Sequence, residues 1–440
     1  MTGQGSTTIM RVTIVDSTTT NPSVRSPDSI VDVRIEGGVV SHVVPAGNAL
    51  PDSTRILEGS GCFISPGFVD LHVHLREPGR EESETIETGS RAAARGGFTA
   101  IVAMPNTEPT QDSRAVIEFV RSRASEVGLC DVFPAGAITI ARAGEILSPM
   151  AELRDAGVHI FTDDGNGVQD PLVMRRAMEY AVDLDVTLAQ HCETTSLTNG
   201  AVMNEGACCS RLGLPGWPSI AEELMVHRDI ELARLTGARV HFLHLSTAGS
   251  VELVRRAKES GVRVTAEAAP HHFTLTDEQL ETFDPVFKVN PPLRTSRDIA
   301  AIKEGLRDGT IDAIATDHAP HADHPKEKSL DEAPPGMLGL ETALALSLSE
   351  LDMPIIDVVA ALSWKPAQIA GIAHVHGRPV APGEPAHLVV FDPNEEWTVR
   401  TDDLVSKSRN TPYVGRKMIG RVRHTLYRGE PVVIDSRSTR

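Results

Sequence analysis

From about residue 66 to residue 365 the chain alternates short apolar runs with helix-like segments, the pattern of βα units around a parallel sheet. Eight runs stand out: "GFVDLHVHL", "FTAIVAMPN", "DVFPAGAIT", "VHIFTDD", "VTLAQHCE", "RVHFLHLS", "VRVTAEAAPHH" and "DAIATDHAPH". Eight is the number that closes a TIM barrel. The two ends differ in texture. "MRVTIVD" and "SIVDVRIEGGVVSHVV", with Gly37-Gly38 as a hairpin turn, are matched near the other end by "AHLVVFDP" and "GEPVVID". The expected fold is therefore α/β. A (β/α)8 barrel over residues 66–370 carries a small β-sandwich domain built from residues 1–65 and 371–440. Residues 320–339, rich in charge, Pro and Gly, predict a mobile loop over the strand ends, and disorder is expected only at "MTGQGSTT" and "DSRSTR".

Nearly every run ends in a polar residue: His72 and His74, Asn106, Thr139, Asp164, His191, His244, His271 and Asp317. The carboxyl ends of barrel strands form the active-site face, so these side chains are expected to converge on one pocket. His72 and His74, two apart on a strand, point to the same side. With His191, His244, Asp164 and Asp317 they offer six N and O donors. Six protein ligands exceed what one catalytic zinc uses, but suit two metals that share a carboxylate and hold a hydroxide between them. Such a pair lowers the pKa of the shared water toward about 7. Zinc is the first choice for imidazole and carboxylate donors, although Mn, Co or Fe accept the same set.

Charge narrows the partners. With 42 Lys and Arg against 60 Asp and Glu, the net charge of −18 opposes phosphate backbones and anionic membrane surfaces. The expected partner is a small molecule, with neither nucleic acid nor membrane, and an anionic one needs a local cation such as Arg76. No apolar run reaches the roughly 20 residues of a membrane span, and no signal-peptide pattern precedes the first strand, so a cytoplasmic location is expected. The five cysteines are scattered and are expected to stay reduced. Cys192 should face away from the pocket, Cys208 and Cys209 should pack as small residues, and His271 and His272 should serve structure.

The motifs "DLHVHLREPG", "MPNT", "FTDDG", "QHCE", "HLST", "APHH", "VNPPLR", "TDHAPH" and "GLET", in this order over almost the whole chain, resemble the bacterial class I dihydroorotases of the metal-dependent amidohydrolase superfamily. The resemblance implies the reversible cyclisation of N-carbamoyl-L-aspartate to L-dihydroorotate, the third step of pyrimidine synthesis. It also implies that His72, His74 and Asp317 hold one zinc, that His191 and His244 hold the other, and that Asp164 bridges the two. Many superfamily members bridge with a carboxylated lysine. The first lysine here is Lys258, so the bridge must be a carboxylate, with Asp163 as the rival to Asp164. Asp317 is the expected proton carrier. Arg76 would take the substrate carboxylate, joined by His74, Asn106, Asn290, His321 and the backbone at Pro335 and Gly336. A homodimer is expected, and association with aspartate transcarbamoylase is a further expectation. The alternatives are another cyclic amidase, such as a dihydropyrimidinase, hydantoinase or allantoinase, or a silent scaffold paralogue.

Overall fold

The computed structural model describes residues 5–19 and 30–439. The chain opens with strands β1 (Thr7–Ile14), β2 (Ile30–Glu36), β3 (Val39–Pro45), β4 (Arg55–Glu58) and β5 (Phe63–Pro66). Then follow β6 (Phe68–Val73), β7 (Phe98–Ala103), β8 (Asp131–Pro134), β9 (Ile160–Phe161) and β10 (Thr187–Gln190). A two-strand excursion, β11 (Met203–Asn204) and β12 (Gly216–Trp217), precedes β13 (Arg239–Phe242), β14 (Val264–Ala268) and β15 (Ala313–Ile314). The last strands are β16 (Leu388–Thr398), β17 (Lys417–Tyr427), β18 (Glu430–Ile434) and β19 (Arg437–Ser438).

All eight predicted runs contain a strand. They form two parallel sheets, β6-β7-β8 and β9-β10-β13-β14-β15. Single parallel bridges join these sheets on both sides, Gly136 to Phe161 and Val73 to His318. Helices separate the strands, as parallel connections require. Their starts follow from local chemistry: Thr85 caps Ile86–Arg95 by accepting from the Thr88 backbone N–H, and Asp170 caps Pro171–Leu184, whose first residue is a proline.

Strand alternation sorts the core. On β7 and just beyond it, Ala100, Val102 and Met104 join an inner cluster with Ala135, Ala189, Ala313 and Ala315, while the alternate residues Ile101 and Ala103 join the outer one. The inner cluster is rich in alanine, and Ala367, Ala370 and Ile372 belong to it.

Strands from both chain ends share one nine-stranded sheet, in which β5 lies between β1 and β16. The expectation of disordered ends needs correction. Residues 1–4 and 440 lie outside the described residues, but Thr7 and Thr8 pair with Arg34 and Ile35, and Arg437–Ser438 pairs with β18. Ladder hydrogen bonds and burial of Thr7 and Thr8 order what composition alone reads as polar tail. The segment 320–339 is also held. Lys326 donates to the Pro285 carbonyl at 2.8 Å, Lys288 donates to the Leu330 carbonyl at 2.7 Å, and Asp323–Lys326 forms a helical turn. Among the described residues no helix is long and apolar enough to cross a membrane. All five cysteines are buried; Cys192 packs in the core, and Cys208 and Cys209 sit beside Leu280 and Leu330.

Candidate metal centre

The ends of β6, β9, β10, β13 and β15 bring His72, His74, Asp164, His191, His244 and Asp317 into one buried cluster, each no more than 6% exposed. Asp164 lies at its centre. One carboxylate oxygen, Oδ2, stands 3.4 Å from His72 Nε2 and 3.6 Å from His74 Nε2. The other, Oδ1, stands 3.5 Å from His191 Nδ1 and 3.6 Å from His244 Nε2. A single carboxylate thus presents one oxygen to each pair of imidazoles. Asp317 Oδ1 closes the first pair, 3.2 Å from His74 Nε2 and 3.6 Å from His72 Nε2.

Asp163 is aimed elsewhere than Asp164. Adjacent residues at a strand end point in different directions. Asp163 turns to Thr139, accepting from its backbone N–H at 3.0 Å and from its hydroxyl. Thr139 is therefore occupied with Asp163 and does not join the cluster. His271 and His272 also stay outside its ion-pair contacts: His272 Nε2 meets the Pro291 carbonyl at 3.0 Å.

Charge follows this packing. Burial pushes the Asp164 carboxyl up, but His72, His191 and His244 outweigh it and hold it well below the usual range. Asp317 is likewise held low, by His74 and His72 against its burial, and is a carboxylate at neutral pH. Burial lowers the proton affinity of His191, yet Asp164 and Glu193 raise it to about 9. Arg76 at φ 61°, His244 at φ 30° and Asp317 at φ 47° are among the residues that adopt left-handed backbone. Non-glycine residues hold such angles only where the surroundings over-determine them, as functional sites do.

Beside the cluster, Arg76 is buried, donates from Nε to the Pro320 carbonyl at 3.1 Å and lies 3.5 Å from His321 Nε2. Burial lowers its proton affinity to about 10, which leaves it cationic. Among the described residues no carboxylate is within ion-pair distance of it. His321 reaches the Pro335 carbonyl at 2.8 Å, and Gly336, at φ 135°, packs where a Cβ would come within 3.0 Å of His321 Nε2. Asn106 Oδ1 meets His74 Nδ1 at 3.0 Å, and Asn290 donates to Glu193 at 3.3 Å. A cavity of about 750 Å³, lined by Arg142, Gly165, Glu193 and Asn290 among others, opens next to the cluster.

Comparison with known proteins adds a decisive likeness. The Dihydro-orotase-like family model matches residues 61–250. Proteins named dihydroorotase from Mycobacterium leprae and Streptomyces coelicolor are 50% and 49% identical over 91% and 93% of this chain, covering 94% and 96% of their own lengths. The chain belongs to the dihydroorotase family. Among solved structures, the L-hydantoinase (dihydropyrimidinase) of Arthrobacter aurescens superposes with a TM-score of 0.85 at 23% identity, covering 99% of this chain and 98% of its own. Dihydropyrimidinase from Brevibacillus agri gives 0.81 at 21% identity, over 99% of this chain and 96% of its own. At those identities the likeness speaks for the fold, an amidohydrolase-type one that the dihydroorotase family shares.

Two carboxylates that orient the imidazoles escape a reading of this family member by motif. Glu267, in the middle of β14, receives His72 Nδ1 and His241 Nε2, each at 3.0 Å. Glu193 receives His191 Nε2 at 3.0 Å. Both fix which ring nitrogen is free to face Asp164. A signal existed for Glu267, a fully buried acid inside the apolar run "VRVTAEAA"; Glu193, two residues after His191, carried the same hint.

Proposed function

We propose that this chain is a zinc-dependent dihydroorotase that interconverts N-carbamoyl-L-aspartate and L-dihydroorotate. The observation that carries the reading is Asp164, with one oxygen toward His72 and His74 and the other toward His191 and His244. The donor set fits a pair of zinc ions. His72 Nε2 is fully buried with no hydrogen-bond partner, aimed at two carboxylates, while its Nδ1 is engaged by Glu267. Such a nitrogen is costly unless something binds it. His72, His74 and Asp317 would hold one ion, His191 and His244 the other, and Asp164 both. The groups stand on a closed (β/α)8 barrel, a proposal supported by eight parallel strands and the two bridges that join their sheets. That barrel would span residues 66–370, and the described residues of 1–65 and 371–440, whose strands share one sheet, would form the β-sandwich module.

Bound there, the metals supply Lewis acidity and a water of lowered pKa. Asp317, kept ionised, accepts the proton of the attacking water and delivers it to the ring nitrogen that leaves. In the cyclising direction it takes the proton from the carbamoyl nitrogen. Arg76 binds the substrate's ring carboxylate, because a buried guanidinium without a carboxylate partner is an anion site inside an acidic protein. His321, beside it, is pushed down to about 3 by burial and by Arg76, so it remains neutral and adds no competing charge. Asn106 orients His74, and Asn290 approaches the site through Glu193.

Hydantoinase-like ring opening is the rival, since those enzymes share the fold; Arg76 favours a carboxylated ring. Zinc-loaded protein offered dihydroorotate, dihydrouracil, hydantoin and allantoin decides between them. Opening of dihydroorotate is expected. Turnover of a carboxylate-free ring with dihydroorotate untouched overturns the proposal.

A further inference from the structure

At the opposite ends of the parallel strands a second cluster of ligating side chains has no part in this chemistry. Asp131 is the first residue of β8, His376 follows the helix Trp364–Ile369, and His387 leads into β16. Each offers one ligand atom, and the three atoms lie within 4.8 Å of one another. His376 Nε2 is 2.9 Å from Asp131 Oδ2, and the rings of His376 and His387 lie with centroids 4.4 Å apart, tilted at 47° to one another. His376 is fully buried and His387 is 6% exposed. A hydrogen-bonded His–Asp pair accounts for His376. It leaves His387 unexplained, because its Nδ1 is buried with no hydrogen-bond partner.

We propose that Asp131, His376 and His387 form a structural site for a divalent cation of the zinc class, separate from the catalytic cluster. Two imidazoles and one carboxylate are borderline donors that suit zinc. Burial, with His376 adding to it, pushes the proton affinity of His387 down to about 3, which keeps the ring in the neutral form that ligates. His376 has a tautomer ready for the change. Without metal its Nε2–H donates to Asp131; with metal on Nε2 the proton moves to Nδ1, which stands 3.3 Å from the Thr99 hydroxyl oxygen. No proton need leave the site.

Asp131 divides its oxygens in a compatible way. Oδ2 faces His376, while Oδ1 accepts from the Tyr427 hydroxyl at 2.7 Å and from Arg428 at 2.9 Å. The Arg428 side chain is 63% exposed, so solvent screens its repulsion of a cation. The Asp131 side chain is 19% exposed, which lets water complete the coordination. Three protein ligands and a water make an exchangeable staple rather than an obligatory folding nucleus. It would fasten the strand starts at Thr99 and Asp131 to the terminal sheet, which holds Tyr427 and which His387 immediately precedes.

The test counts metal. Wild-type chain and the variants H387Q and H376Q are equilibrated at the same buffered free zinc, freed of loose metal and measured by mass spectrometry. Wild type is expected to carry one zinc per chain more than either variant, with kcat on dihydroorotate unchanged and with a zinc-dependent rise in Tm that the variants lose. Equal zinc in all three overturns the proposal, whatever the occupancy of the catalytic cluster, because only the difference is read. Should a variant fail to fold, zinc-edge anomalous diffraction from wild-type crystals replaces it. A peak among the three side chains is expected, and peaks confined to the catalytic cluster refute the site.

Discussion

Glu267 carries no substrate and touches no proposed metal position, yet its replacement by glutamine should loosen zinc in a calculable way. Its carboxylate accepts from His72 Nδ1 and from His241 Nε2, both at 3.0 Å, and the two imidazoles hold it ionised, lowered to about 2 against its burial. An amide keeps one acceptor oxygen and presents an NH2 group on the other side. If the NH2 met His72, that ring would carry its proton on Nε2, the nitrogen aimed at Asp164 and Asp317, and could not ligate. His241 can yield instead, because its Nδ1 lies 2.8 Å from Thr265 Oγ1 and can donate there. The amide oxygen should therefore stay with His72. What is lost is the negative charge that makes His72 a stronger base. Changes of this kind cost about 10- to 100-fold in metal affinity, or ~1.4–2.7 kcal/mol at about 1.36 kcal/mol per decade. Competition with a chromophoric chelator measures the zinc affinity, and kcat at saturating zinc should remain near wild type. Unchanged affinity in Glu267→Gln would refute the claim that this carboxylate tunes the His72 donor.

Four further outcomes test the assigned roles. Arg76→Met should lower kcat/KM for dihydroorotate by about 100-fold, the worth of a charge-assisted hydrogen bond, with zinc content intact; equal loss on a carboxylate-free ring would place the substrate carboxylate elsewhere. Asp317→Asn should reduce turnover by about 10²- to 10⁴-fold, and near-normal turnover removes it as the proton carrier. Asp164→Asn should lose zinc while Asp163→Asn retains it, since only Asp164 faces the imidazoles; the reverse, read by metal analysis, would exchange their roles. Gly336→Ala places a Cβ 2.7 Å from the Ala319 Cβ at φ 135°, so stability should fall by about 1–3 kcal/mol in denaturant melts; an unchanged midpoint would mean the loop relaxes freely.

Much of the architecture is legible along the chain because it depends on local rules. Short apolar runs separated by helix-like segments point to a parallel sheet, and each of the eight predicted runs holds a strand. The motifs around His72, His191, His244 and Asp317 carry the family likeness, which relatives at 50% and 49% identity bear out. Strand alternation also places Cys192 in the core, away from the cluster. Where composition was the only guide, it misled. The ends look polar and loose, yet Thr7, Thr8 and Arg437–Ser438 pair in ladders, because strand partners come from distant parts of the chain.

The sequence by itself determined the inventory: which donors exist, that no lysine before Lys258 can act as a bridge, and that an acidic chain needs Arg76 to attract an anion. Only the tertiary structure decided how those donors are aimed. That Asp164 faces the imidazoles while Asp163 faces Thr139 depends on how one short strand end twists against its neighbours. That Glu267 serves His72, and that Asp131 meets His376 and His387, depends on contacts between residues 195, 245 and more positions apart. Periodicity records which face of an element a residue occupies. The partner across that face is set by packing of the whole chain, and no local pattern encodes it.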